Sequence, residues 1–490
     1  MENDHIRKLV LGGDLPSLLR ENQCTSLVLK FDDIDVDFEA TAMVHGFLCF
    51  NQDMQAIADA LRENSSLTEV CLDGNWGGRF FEVPNQRRGG GRGGRANGNN
   101  NNTNSNTDDD ASRCLLQSIC NLPNLKELIL ESGRGTARDL TQLLGEAKRL
   151  EILEFYDVVL EGDERDFIAL NETLAMHQSL TKVITFFLRF PTEITQTSLI
   201  VDQMLQSLLK IPTLTTLGIW ASLPKGQEPN SSSVIFATET LLQACSSPTL
   251  QVLELSGVLT PMNAEEQAIP RMAQTLGHNA VLQCLHLHCD LDEANTKALA
   301  QLIRNNQFLD IIRIDLNNVG GGDTTTTCNN HSNIAQNNNS SSNNNLHPQN
   351  HLSQLALALR SNSALTKFKL VAESTEVLAN NSSRNNNNNN ARRGRFDTDI
   401  AHAFVDLVQH HNYSLREVHL FDPALSSASH LGWNDMVKFY LRLNAQGRRE
   451  MLQLAQENPK AYVDKLHQLA RKNDLDALYY YVQMNPNLLV

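Results

Sequence analysis

A short pattern of apolar residues that recurs along most of the chain constrains the fold more than any other feature. Its clearest copy runs from Leu250 to Leu255, with leucine at the first, fourth and sixth places. The last two of these leucines are two residues apart, so they share one face of a β-strand. A unit this short cannot bury its apolar side alone, and neighbouring copies must therefore stack into one continuous core.

The pattern predicts twelve units, and the residues between the units predict helices. From Leu125 to Leu309, successive first places are 25 to 36 residues apart, which is enough for a strand, a loop and a helix. Apolar residues at helical spacing, such as Leu299, Ala300 and Ile303, lie between the strands. The twelve first places are Ile6, Cys24, Leu67, Leu125, Leu150, Leu180, Leu214, Leu250, Leu282, Leu309, Leu365 and Leu415.

The alternation of strands and helices predicts an α/β solenoid. Its strands would form a parallel sheet with every helix on one side, which leaves the other face of the sheet open to solvent or to a partner. Wider spacing on the helical side would bend the stack into an arc, with the sheet on the concave face and the helices on the convex face.

One stretch of this pattern resembles a known family. The phrase from Ala60 to Asn75, ALRENSSLTEVCLDGN, is similar to the ribonuclease-inhibitor type of leucine-rich repeat, and similar phrases begin at Asn362 and Asn412. The resemblance covers about residues 1–425 and implies a horseshoe that binds other proteins, because this subfamily occurs in inhibitors, receptor sensor arms and activators of small GTPases. Most units lack the asparagine that follows the strand at Asn75, which predicts an irregular arc.

Two kinds of segment depart from the repeat. Stretches rich in Asn, Gly, Ser, Thr or Arg lie at about 84–110, 320–350 and 380–395, and they bury too little apolar surface to offset the entropy cost of ordering, which predicts disordered insertions. From 430 to 490 the apolar spacing becomes helical, with a last helix between Asp474 and Pro486. We interpret this segment as a helical cap over the exposed edge of the final repeat; an independent docking module is the alternative.

Charge and cysteine content narrow the functional classes. The 56 acidic residues exceed the 41 basic ones, for a net charge of -15, which argues against nucleic acid or an anionic membrane as the partner. The nine cysteines include no CxxC pair, which is typical of reduced thiols in a reducing compartment. With no signal peptide or membrane-length apolar run in the sequence, we expect a cytoplasmic monomer, with the nucleus as the alternative location.

The motifs of common enzymes are missing from the sequence. It contains no phosphate-binding Gly-Lys-Ser/Thr loop, nucleophile elbow, His-Glu-x-x-His helix or paired-cysteine zinc pattern. We therefore expect no catalysis and no cofactor. The main hypothesis is a scaffold or regulator that binds a protein partner on the open face, and the alternative, implied by the resemblance, is a GTPase-activator-like regulator.

Three aromatic residues occupy matching places in successive units. Tyr156, Phe186 and Trp220 each follow the third core place of a strand. Because neighbouring strands lie about 4.8 Å apart, the three rings would form one apolar band on the open face. Exposed aromatic residues commonly anchor protein contacts. The alternative is that Phe186 and Phe187 turn inward or that loops cover Trp220.

Charged residues on the same face change sign along the chain. Acidic residues such as Glu154 lie in the first half, whereas Arg313 and Lys369 lie in the second. Such a gradient would orient a polar partner, and a merely solvated face is the alternative. The predicted partner-binding residues are Tyr156, Phe186, Trp220, Glu154, Glu254, His286, Arg313 and Lys369.

Two further groups of residues suggest other ligands. Cys284, His286 and His288 alternate along one strand, but residues two apart are more than about 6 Å from each other, which is wide for one tetrahedral ion. Arg313 should also lie beside His286, so we expect a polar contact patch and no metal. The run from Arg87 to Arg95 resembles an arginine-glycine RNA-binding segment, and we interpret it as a linker.

Overall fold

The computed structural model describes residues 15–22, 24–30, 54–73, 115–188, 197–221, 236–259, 268–289, 293–316, 349–372, 398–421 and 431–486. The predicted first copy of the repeat, at Ile6, lies outside these residues. The three predicted insertions also lie outside them, apart from Gln349 and Asn350, which begin a helix. The chain forms two compact units, Met1–Val258 and Leu259–Val490.

Strands and helices alternate throughout the first unit. Its elements are α1 Leu15–Arg20, β1 Ser26–Lys30, α2 Met54–Glu63, β2 Glu69–Asp73, β3 Glu127–Glu131, β4 Arg134–Thr136, α3 Ala137–Glu146, β5 Ile152–Tyr156, β6 Val159–Glu161, α4 Glu164–Met176, β7 Lys182–Leu188, α5 Thr197–Leu208, β8 Thr216–Ala221, α6 Thr238–Cys245 and β9 Val252–Leu259, the last of which ends one residue beyond the unit. Residues 115–120 are also helical.

The second unit continues the alternation and ends in four consecutive helices. Its elements are α7 Ala268–Leu276, β10 Cys284–Cys289, α8 Glu293–Asn305, β11 Ile311–Leu316, α9 Gln349–Ser361, β12 Lys367–Ala372, α10 Thr398–Asp406, a π-helical turn Leu407–His411, β13 Glu417–Phe421, α11 Leu431–Ala445, α12 Arg448–Glu457, α13 Pro459–Arg471 and α14 Leu475–Met484. None of the helices in the described ranges is both long and apolar enough to cross a membrane.

The strands of each unit pair in parallel and in chain order. In the first unit the order is β1-β2-β3-β5-β7-β8-β9, and in the second it is β10-β11-β12-β13. The register places equivalent core residues side by side, as in Leu72, Leu130 and Phe155 on three neighbouring strands. Every predicted strand that falls in the described residues is therefore confirmed. A small parallel pair, β4 with β6, was not predicted because neither strand carries the apolar pattern.

The core lies on one face of the sheet and the helices cover that face. The described residues at the predicted core places are buried, except Val418 on the last strand, which is half-buried. The predicted helical stripe of Leu299, Ala300 and Ile303 is buried as well. Burying one such leucine stabilises the fold by about 1.5–3 kcal/mol, so the repeated core is the main source of stability.

A ladder of buried asparagines links successive repeats of the second unit. The Asn362 side chain donates to the carbonyl oxygens of Ile303 and Asn306, the latter at 2.9 Å, and its Oδ1 accepts from the amides of Ala364 and Leu365 at 2.9 and 2.7 Å. Asn306 and Asn412 make the same four contacts in their own repeats. Each asparagine thus satisfies buried backbone groups that a turn would otherwise leave unpaired.

The four terminal helices begin by extending this ladder. Asn444, near the end of α11, donates to the carbonyl oxygens of Asn412 and Leu415 at 3.1 and 2.8 Å. The predicted limits of the last helix are confirmed, since Asp474 caps its first turn and the helix ends at Met484, before Pro486.

Candidate functional site

The three predicted aromatic residues lie side by side on the open face of the first unit. Strand pairing places Glu131 opposite Tyr156, Tyr156 opposite Phe186, and Phe186 opposite Trp220. The ring centroids are 6.2 Å apart for Tyr156 and Phe186, and 4.6 Å apart for Phe186 and Trp220, which are stacked. We call these three side chains the ring row. Phe186 therefore does not turn inward, while the side chain of Phe187 lies outside the described residues.

Exposure differs along the ring row. Tyr156 and Phe186 are half-buried, whereas only 9% of Trp220 is exposed. The predicted band therefore offers exposed surface at Tyr156 and Phe186, whereas Trp220 adds little exposed surface to it. Phe186 covers one face of its indole, and the Glu254 carboxylate lies beside its edge.

Carboxylates hold both ends of the ring row in place. The Tyr156 hydroxyl donates to Oε2 of Glu154 at 2.7 Å, and Trp220 Nε1 donates to Oε2 of Glu254 at 3.4 Å. Lys182 Nζ lies 2.6 Å from the other oxygen of Glu154, whose side chain is only 7% exposed. Burial and the hydrogen bond to Glu154 raise the pKa of the Tyr156 hydroxyl, so this ring stays neutral.

A glycine lies in the row of outward positions next to the rings. Gly218 stands between Ile184 and Glu254 in the neighbouring row of outward positions. A Cβ at Gly218 would lie 3.4 Å from the Ile184 side chain and 3.6 Å from Oε2 of Glu254. A methyl group at this position would therefore meet both side chains at ordinary van der Waals distance.

Negative charge surrounds the rings. Among the outward side chains that the structure describes on the strands of the first unit, five carboxylates accompany one lysine, Lys182. Burial, followed by the charges of Glu69 and Glu154, raises the pKa of Glu127, and Lys182 only partly opposes this. The acidic half of the predicted gradient is therefore present. The five carboxylates belong to Glu69, Glu127, Glu131, Glu154 and Glu254.

In the second unit, His286 and Arg313 both contact Asp315. His286 lies opposite Arg313 on the adjacent strand, as predicted. Its Nε2 is 2.8 Å from Asp315 Oδ2, and Arg313 Nε and Nη2 donate to the two oxygens of Asp315, each at 3.0 Å. Burial by itself would raise the pKa of Asp315, but the hydrogen bonds from His286 and Arg313 outweigh it and lower that pKa.

Lys369 is also paired with a carboxylate. Its Nζ lies 2.8 Å from Glu417 Oε1, and Lys367 Nζ lies 3.4 Å from Oε2 of the same residue. Sequence reasoning missed both Asp315 and Glu417, although each stands at an outward place of its strand. The basic half of the predicted gradient is thus largely neutralised by its own neighbours.

Metal ligands do not come together around Cys284 and His286. Cys289 is fully buried on the core face, and His286 is engaged by Asp315. Within the ranges that the structure describes, His, Cys, Asp and Glu form no group of three that could hold an ion. The side chain of His288 lies outside those ranges.

No family model matches the chain, and no curated protein matches it either.

Proposed function

We propose that the chain is a leucine-rich repeat solenoid of the ribonuclease-inhibitor-like type that binds a protein partner, without catalysis, on the open face of its sheet. The observation that carries the proposal is the ring row on the first unit, with Phe186 stacked on Trp220 at 4.6 Å. The repeated parallel strands, the one-sided core and the asparagine ladder support the repeat assignment.

The ring row suits a protein contact because it is already ordered. Hydrogen bonds to Glu154 and Glu254 hold the polar ends of Tyr156 and Trp220, and part of the surface of both Tyr156 and Phe186 is exposed. A preordered surface loses little side-chain entropy on binding. Aromatic side chains with polar neighbours are also typical of the residues that contribute most to binding energy.

Phe186 offers the cleanest test, because it is the central ring and its side chain has no polar group to leave unpaired. We expect Phe186→Ala to weaken partner binding at least about tenfold while the protein stays folded. The matched control is Phe308→Ala, since Phe308 is 56% exposed and lies in the second unit. The triple alanine variant of Tyr156, Phe186 and Trp220 should abolish binding, and its unfolding must be checked because Trp220 is largely buried.

The measurement has two stages. Affinity capture from native lysate identifies proteins that the wild type and Phe308→Ala retain and Phe186→Ala loses. The purified candidate should then protect Tyr156 and Phe186 from hydroxyl-radical oxidation. If Phe186→Ala and the triple variant capture the same proteins as the wild type, the ring row is not the binding surface.

A further inference from the structure

The ring row has a carboxylate at each end. Glu131 is exposed and lies opposite Tyr156, and its Oε2 accepts from the buried Cys71 thiol at 3.9 Å. At the other end, the Glu254 carboxylate lies beside Trp220. Ser256 is the residue opposite Trp220 on β9, and Glu254 reaches Trp220 from two residues earlier on that strand. Three aromatic side chains thus stand between two acidic side chains on a path that crosses the strands slightly obliquely.

Strand spacing sets the length of this path. Glu131 is on β3 and Glu254 is on β9, and the strands between them are β5, β7 and β8. Four steps of about 4.8 Å place the two strands about 19 Å apart. An extended peptide rises about 3.3 Å per residue, so residues about six positions apart would reach both carboxylates.

The backbone of these strands excludes one mode of peptide binding. Within the first unit, β5, β7 and β8 each pair with a strand on both sides, so they offer no edge to which a partner strand could add. A partner segment must therefore be held by side chains. The Glu154 side chain, between the two ends, is only 7% exposed, whereas Glu131 is exposed and Glu254 is half-buried, so a cation in solution reaches the two terminal carboxylates more easily.

We propose that the ring row binds an extended segment of the protein partner that lies across the strands, with apolar residues in its middle and a basic residue at each end, about six positions apart. This inference rests on the proposed function. The apolar middle would pack on Tyr156 and Phe186, and the two cations would meet Glu131 and Glu254. The excess of carboxylates on this face favours such a segment over an acidic one.

Polyproline peptides can serve as rulers for the spacing. They rise about 3.1 Å per residue, so two lysines separated by five prolines lie about 19 Å apart along the helix. We would measure fluorescence anisotropy of labelled peptides with three, five or seven prolines between two lysines, using the full chain. The peptide with five prolines should bind at least about threefold more tightly than the other two, and acetylation of its lysines should remove that preference.

Variants assign the preference to the two carboxylates. Glu131→Gln and Glu254→Gln should each abolish the spacing preference, and Glu254→Gln keeps an oxygen that can accept from Trp220. Glu457→Gln is the control, because it makes the same change of charge on an exposed residue of the second unit. Equal binding of all three peptides, binding of none of them, or a preference that survives in both variants would overturn the inference.

The two proposals fail separately. If Phe186→Ala loses the native partner but the peptides show no spacing preference, only the inference about the segment is wrong. If Phe186→Ala keeps the native partner, the proposed function is wrong, and with it the inference that rests on it.

Discussion

At the scale of single residues, alternation along each strand decides which side chains can bind. The sequence located Tyr156, Phe186 and Trp220 because all three occupy the outward place that follows the core pattern, in three successive repeats. Their exposure could not be found in this way, since the cover over Trp220 comes from Phe186 and Glu254 on neighbouring strands. Asp315 was missed for a similar reason, because its importance depends on contacts with His286 and Arg313.

Glu127 gives a test of the charge on the open face. Its pKa is raised above the ordinary value of 4.5, so the stability that it contributes is present below that pH and is lost as pH rises through the folded-state pKa. Glu127→Gln should therefore stabilise the protein at pH 7, by less than about 1 kcal/mol because the site is partly solvated. The gain should shrink towards zero near pH 4, where the carboxyl is mostly protonated in both states.

Urea unfolding at pH 7 and pH 4 measures this effect. Glu172→Gln, which removes the same charge from an exposed place in the middle of α4, away from the helix ends, should show no comparable gain at pH 7. A Glu127→Gln protein that is less stable than the wild type at pH 7 would contradict the proposed repulsion.

At the scale of secondary-structure elements, a buried arginine joins the terminal helices to the last repeat. Arg448 is 1% exposed and its guanidinium lies 4.7, 4.9 and 5.0 Å from the ring centroids of Tyr413, Tyr440 and Tyr480. It donates to the Tyr480 hydroxyl and to the carbonyl oxygens of Val408 and Gln409. These carbonyls belong to the π-helical turn, whose helix-end partial charge favours a cation.

The neighbouring arginine provides a matched control for Arg448. Arg448→Met should lower the unfolding free energy of the second unit by about 3 kcal/mol, because three cation–π contacts and three charge-assisted hydrogen bonds are lost and the carbonyl oxygens stay buried. Arg449→Met changes an exposed side chain and should cost less than about 0.5 kcal/mol. Denaturant unfolding measures the free-energy change of each variant, and hydrogen exchange then reports how easily α10 and α12 open. Equal effects of Arg448→Met and Arg449→Met would show that Arg448 does not join these elements.

At the scale of the whole molecule, the net charge of -15 is not spread evenly over the described open faces. Five carboxylates accompany one lysine in the first unit, whereas Arg313, Lys367 and Lys369 accompany Asp315 and Glu417 in the second. This sorting agrees with a basic partner segment on the first unit.

The predicted boundary between repeats and cap, at 425–430, lies inside the second unit, and the role of the terminal helices stays a prediction.

Deletion of 431–490 tests that role. If these helices cap the last repeat, their removal leaves the backbone carbonyls of Asn412, Val408 and Gln409 without the donors Asn444 and Arg448 and exposes apolar side chains on α10. Sedimentation velocity should then show self-association that increases with concentration, whereas the full chain should sediment as a monomer. A truncated chain that stays monomeric and melts at the same temperature would support an independent docking module.

The sequence by itself determined which residues form the repeated strands and which face of each strand is apolar, because both follow from spacing along one chain. It also located the ring row, because its three members occupy the same place in three successive repeats. Only the tertiary structure decided which side chains meet: Glu254 with Trp220, His286 with Asp315, and Arg448 with three tyrosines. Those contacts join residues on different strands or helices, and their distances depend on how neighbouring repeats pack, which the local pattern of one repeat does not contain.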